Sequence, residues 1–224
     1  MPLAGPITRP PGVAELAYEA IRDMLTEGVF EEDERLVEAT LSVGLGTSRT
    51  PVREALARLA SEGFLIAVAN GYRAPRISAQ DIINMSQLRA LLEPEAARQA
   101  ALNPGTVGLA EMREAVAAAV RAHEIGDSSR VLETNRAYRR GWQKRISNPM
   151  LLDALTRVMG TLQLIRRRTV GDATLRAYIL DMQEGLLDRI ERGDGEGAAA
   201  WQLEKIQGLH QLILTKLFAQ AVPS

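Results

Sequence analysis

Apolar positions recur along this chain at helical spacing, broken at intervals by glycine and proline, and one stretch departs from that rhythm. Val13, Leu16, Ala17, Ala20, Ile21, Met24 and Leu25 fall at i, i+3, i+4 and stop at Gly28, which predicts a helix closed by a C-terminal glycine. A shorter helical pattern follows the acidic turn at 31–34, carries Leu36, Val37 and Leu41, and ends at Gly44-Leu45-Gly46. A third starts at Thr47-Ser48, a ready N-cap, sets Val52, Ala55, Leu56 and Leu59 on one face, and stops at Gly63. Pro51 sits in its first turn, where a missing N–H costs nothing. The departure comes next: an apolar run at 64–68, then Asn70-Gly71, then 72–77, the signature of a two-stranded hairpin.

From Ser78 onward the pattern is helical throughout. The segments are 79–102, 107–126, 128–146, 149–169, 173–192 and 195–218, separated by Asn103-Pro104-Gly105, Gly126-Asp127, Asn148-Pro149, Gly171-Asp172 and Gly193-Asp194-Gly195. Pro94 lies inside the first and is expected to kink it. The expected fold is mainly α: a winged helix-turn-helix over residues 8–77, then an all-α six-helix bundle over 78–220. Three generic helices packed on a hairpin, without a nucleic-acid role, fit the first pattern as well.

Composition narrows the chemistry. The chain has 224 residues, no cysteine and two histidines, His123 and His210. Disulfides, thiolate metal sites and a cysteine nucleophile are excluded, as is any site built on three imidazoles. No apolar run reaches the length of a membrane span, and residues 1–11 lack the apolar core of a leader, so a cytoplasmic protein with no membrane partner is expected. The net charge of −1 gives no global basic field. Locally, however, residues 47–76 carry Arg49, Arg53, Arg58, Arg73 and Arg76 against Glu54 and Glu62.

Arg49 and Arg53 are four apart, so they share a face at the start of the third helix, opposite its apolar face. An arginine there can pair with guanine in the major groove. Thr47, Ser48 and Thr50, with the free N–H groups of the first turn, suit phosphate contacts, and Arg35 is a further phosphate candidate. The Asn70-Gly71 tip suits the minor groove, with Arg73 near phosphate. For Arg58 a salt bridge fits equally well. The run Ser48-Arg49-Thr50-Pro51-Val52-Arg53-Glu54-Ala55-Leu56, followed by Leu59 and Glu62-Gly63, resembles the recognition-helix signature of the GntR family of bacterial transcription regulators. Arg35-Leu36-Val37-Glu38 and Leu41 are similar to that family's second helix. The acidic turn 31–34 and Thr47 depart from the family pattern without touching the DNA-reading face.

The helical half resembles the FCD effector domain of the FadR subfamily, in its six-helix VanR-like branch. The resemblance rests on Leu88-Arg89-Ala90-Leu91-Leu92-Glu93-Pro94-Glu95-Ala96-Ala97, Ser147-Asn148-Pro149, Ile190-Glu191-Arg192-Gly193-Asp194 and Ala198-Ala199. It implies a divalent metal held by an Asp-x-x-x-His pair and two later histidines about 22 residues apart. Those positions fall on Asn135, Arg139, Gln183 and Lys205, so the spacing survives and the ligand chemistry does not. No metal or other cofactor is expected.

Two readings of that substitution stay open. Arg139 and Lys205 can supply the positive charge that a metal supplies elsewhere, binding a small anionic effector such as a carboxylate, with Asn135 and Gln183 as hydrogen-bond partners and Arg89 as a further clamp. Alternatively these residues form internal salt bridges to carboxylates such as Glu93 or Glu133. His123 and His210 read as surface or satisfied core residues, Trp142 and Trp201 as packing between helices, and Arg166-Arg167-Arg168 as a cluster complementing a helix C-terminus. No nucleophile–base pair or phosphate loop supports an enzyme. The expectation is a homodimeric, effector-responsive regulator of double-stranded operator DNA, repression being the commoner outcome in the family it resembles. The alternative is a DNA-binding protein whose helical domain only dimerises.

Overall fold

The structure is a computed structural model and describes residues 12–219. The expected outer limits at 8 and 220, and the segment 1–11, lie outside the described residues. The chain forms two compact units that meet in sequence between Arg76 and Ile77.

The first unit contains α1 (Val13–Thr26), β1 (Arg35–Leu36), α2 (Glu38–Gly44), α3 (Arg49–Ser61), β2 (Ile66–Val68) and β3 (Gly71–Arg73). Ile21 of α1 and Val52, Leu56 and Leu59 of α3 are fully buried, so the apolar faces read from spacing form this unit's core. The sheet has three strands, ordered β1-β3-β2 and antiparallel, where the sequence predicts two. Arg35 and Leu36, expected in the second helix, instead pair with Arg73 and Tyr72, and Val37 is the extended N-cap of α2. Pairing with β3 supplies backbone partners that so short a segment could not find alone. Val68 pairs with Gly71, so the two-residue turn is Ala69-Asn70, one residue earlier than expected, and Gly71 opens β3 at φ +122°.

The second unit contains six helices among the described residues: α4 (Ala79–Leu102), α5 (Leu109–Glu124), α6 (Ser128–Gln143), α7 (Pro149–Gly171), α8 (Ala173–Glu191) and α9 (Gly195–Leu217). Each break read from sequence works as a cap. Ser78 and Asp81 form a capping box, Asn148 accepts from Met150 and Leu151 with Pro149 in the first turn, and Asp127, Asp172 and Asp194 each accept an N–H of the following turn. Pro94 lies within α4, and the helix runs through it. Ala96, Ala97 and Ala100 of α4 are fully buried; small side chains there let neighbouring helices approach. Buried Arg145, just past α6, donates to the backbone oxygens of Ala100, Asn103, Gly105 and Val107, filling the end of α4 and the following loop. No helix among the described residues is long and apolar enough to cross a membrane.

Candidate functional site

The first unit presents a polar face at the start of α3. Ser48 is the N-cap residue with extended backbone, and its side chain makes no capping bond, leaving the hydroxyl and first-turn N–H groups facing outward. Ser48, Arg49, Thr50 and Arg53 are exposed, Thr47 is half-buried, and Val52, Ala55, Leu56 and Leu59 turn inward. Arg53 donates to both oxygens of Glu38 in the first turn of α2, and these bonds hold that carboxyl below its usual range. Arg49 acts on the same carboxylate through space.

Arg35, Arg73 and Arg58 of this unit also have intramolecular partners. Arg35 donates to the backbone oxygen of Asn70, bracing the wing turn, and Arg73 pairs with Asp33, a residue in the left-handed region at φ 65°. Arg58 is the salt-bridged residue of the two readings: it bonds Glu62 and Glu15 and lies 3.8 Å from the Tyr18 ring centroid. The acidic turn also pairs with the arginines at the wing root, and Arg49 and Arg53 are the exposed arginines of the first two turns of α3.

The second unit encloses a cavity of about 710 Å³, counting solvent at its mouth. Its wall includes Arg89 and Glu93 of α4, Asn135 and Arg139 of α6, Arg166 of α7, Gln183 of α8 and Gln202 of α9, with apolar side chains between them. Among the described residues Glu93 is its sole acidic lining residue and is fully buried; Arg89 donates to both its oxygens and Gln202 donates to one at 2.5 Å. Gln183 donates to Asn135 Oδ1 at 2.7 Å. Arg139 Nη1 and Nη2, Arg166 Nε and Asn135 Nδ2 are buried without hydrogen-bond partners. Burial, then the charges of Arg166 and Arg89, push the Arg139 guanidinium well below its ordinary value; burial and Arg89 lower Arg166 to about 10.

Four of the five expected ligand-binding residues, Arg89, Asn135, Arg139 and Gln183, thus line one cavity. Lys205 does not. Its ammonium bonds Asp181 at 2.6 Å and lies 4.2 Å from the Trp201 ring centroid, outside the cavity wall, because the inward face of α9 carries Gln202, Ile206, Leu209 and Ile213 instead. Arg166, assigned by sequence to a helix-ending cluster, lies before the last turn of α7 and belongs to the cavity; its spacing with Leu162, Ile165 and Thr169 was the available signal. Trp142 lines the cavity as well. His123 and His210 are half-buried, with Nδ1 atoms that lack hydrogen-bond partners, and neither lines this cavity.

The lining does not fit a divalent metal. Three guanidinium groups surround it, its one carboxylate is already engaged, and Asn135 and Gln183 are bonded to each other.

Residues 13–71 match the gntR family of bacterial regulatory proteins and residues 84–207 match the FCD domain, more than half of the chain. The HTH-type transcriptional regulator McbR of Escherichia coli (strain K12) is 29% identical over 181 residues, covering 79% of this chain and 81% of that protein. The Nta operon transcriptional regulator of Aminobacter aminovorans is 41% identical over 86 residues, 38% of this chain and 41% of that one. Among solved structures, E. coli McbR/YncC superposes with a TM-score of 0.75 at 24% identity, covering 95% of this chain and all of that one. A putative GntR regulator from Rhodococcus sp. RHA1 superposes with a TM-score of 0.71 at 19% identity, covering 90% and 97%. These superpositions establish the fold, and the sequence matches establish the kinship: this chain belongs to the gntR family of bacterial transcriptional regulators and carries an FCD domain.

Proposed function

We propose that this regulator reads its operator through the exposed start of α3 and that a small anion, a carboxylate, occupies the helical cavity as effector. The observation that carries the second half is the buried Arg139 guanidinium, with two unpartnered nitrogens beside Arg166 and no free carboxylate in the wall. Isolated buried cations are costly, so a partner that brings negative charge recovers much of what burial took away. Metal plays no part in this site. The operator is a pseudo-palindrome read by a homodimer in the cytoplasm, one α3 per half-site, and repression is the sign we assign.

Two measurements test this. In a gel shift on the region upstream of its own gene, replacing Arg49 and Arg53 together by Ala abolishes specific binding; undiminished binding sinks the recognition-helix assignment. In a thermal-shift survey of carboxylates with and without EDTA, a stabilising acid appears, its effect survives the chelator, and it is lost in Arg139→Met. If no anion shifts the wild type, the helical unit serves dimerisation only.

A further inference from the structure

The chemistry of the cavity wall selects among anions. Ten of its eighteen lining side chains are apolar or aromatic: Tyr138, Trp142, Met159, Leu162, Ile165, Ile179, Met182, Leu186, Leu209 and Ile213. Its buried polar atoms without partners are unequal in kind. Five are donors: Nη1 and Nη2 of Arg139, Nε of Arg166, Nδ2 of Asn135 and Nε1 of Trp142. One is an acceptor, Gln202 Oε1.

The side-chain oxygens of Glu93 and Asn135 are already engaged. Both Glu93 oxygens accept from Arg89, and one also from Gln202. Asn135 Oδ1 accepts from Gln183, and the Gln183 backbone oxygen accepts from the Tyr138 hydroxyl at 3.0 Å. A polyhydroxylated acid would bring several O–H donors into a wall whose buried unpartnered atoms are mostly donors, and each unmatched hydroxyl would lose its water for nothing. A tricarboxylate would bury more negative charge than Arg139 and Arg166 can meet. A monocarboxylate with an apolar body meets the donors with its two oxygens and the apolar majority with its hydrocarbon.

We infer that this cavity is specific for a monocarboxylate bearing an apolar aliphatic or aromatic body, and rejects sugar acids and polycarboxylates. The inference rests on the anionic-effector reading above and narrows it.

Calorimetric titration of the full chain with octanoate, 3-phenylpropanoate, octanamide, gluconate and citrate tests it. At least one of the two apolar acids binds, with a negative heat-capacity change, while octanamide, gluconate and citrate bind at least about tenfold more weakly or not at all. Leu162→Asn weakens the apolar acid and leaves the melting cooperative; Arg139→Met weakens it while octanamide is unaffected. Gluconate or citrate binding as tightly as the apolar acids overturns the inference and leaves the anionic reading standing. Octanamide binding as tightly as octanoate, or no acid binding at all, removes the anionic reading and the inference together.

Discussion

Arg53 of α3 donates three hydrogen bonds of 2.8 to 3.1 Å to the Glu38 carboxylate at the head of α2, while its side chain remains 65% exposed. The arginine proposed to read bases is therefore held by an acid of its own domain in the absence of DNA. So exposed a pair is cheap to break, and the same carboxylate repels phosphate whatever the sequence beneath it. Glu38→Gln is expected to raise nonspecific affinity more than operator affinity, each by no more than about tenfold, lowering the specificity ratio. Arg53→Ala loses roughly tenfold to a hundredfold at the operator and little elsewhere. Competitive gel shifts at fixed salt read both; a Glu38→Gln protein with an improved ratio contradicts the argument.

Arg139 works against the fold that holds it. Because burial and neighbouring cations depress its proton affinity, charged Arg139 costs stability at neutral pH, and Arg139→Met is expected to stabilise the ligand-free protein by roughly 1–4 kcal/mol. Denaturant midpoints without ligand measure this; a large loss of stability would mean that the guanidinium is satisfied after all.

On the proposed anionic-effector reading, Arg166 would set an alkaline limit on binding. Its proton is held below about pH 10 and released above it, so the attraction for an anion is present at neutral pH and lost as pH rises through that value. Affinity for a bound carboxylate should fall as pH rises through about 10, by up to about tenfold per unit, the fall moving to higher pH as bound anion holds the proton. Arg166→Met removes this limb from the titration curve.

Arg145 is a structural arginine whose loss should be read in folding, not in binding. Its guanidinium meets four backbone oxygens at 2.6 to 3.1 Å. Arg145→Ala leaves four carbonyls without this donor, that of Ala100 buried and the others partly so, and should cost about 3 kcal/mol. Lysine restores less than half, because one ammonium cannot span the fork. Equal stability of the lysine variant and wild type would count against this role.

Gly108 and Gly141 bring the start of α5 against α6. A Cβ on Gly141 would stand 2.6 Å from the Gly108 oxygen and 2.7 Å from Met112 Cγ, and a Cβ on Gly108 would overlap the Gly141 carbonyl. Gly141→Ala is expected to destabilise by about 1–3 kcal/mol through overpacking, seen as a lower melting temperature with operator affinity intact at low temperature.

The six helices of the second unit were legible because each break carries its own chemistry: Asn103-Pro104-Gly105 cannot continue a helix, and Asp172 and Asp194 begin one. The strand Arg35–Leu36 was not, since two residues show no period and the segment is extended only because β3 lies beside it. Lys205 shows how spacing fails across a turn. A count of 22 residues from Gln183 crosses the end of one helix and the start of another, and on α9 Lys205 falls about 60° round the axis from the inward-facing Gln202, at the flank of that face. Within a single helix the same logic held: Asn135 and Arg139, four apart on α6, both reach the cavity.

The two tryptophans of the chain divide the labour of reporting. Trp142 lies in the cavity wall with its indole nitrogen unpartnered. Trp201 lies outside that wall, stacked between Arg189 and Lys205, and donates to the Met182 backbone oxygen at 3.1 Å. With Trp201 replaced by phenylalanine, the tryptophan emission of the protein comes from the cavity wall alone. The chain then carries its own optical gauge of occupancy, which can be followed on the same sample, without a label, while DNA is added or withdrawn.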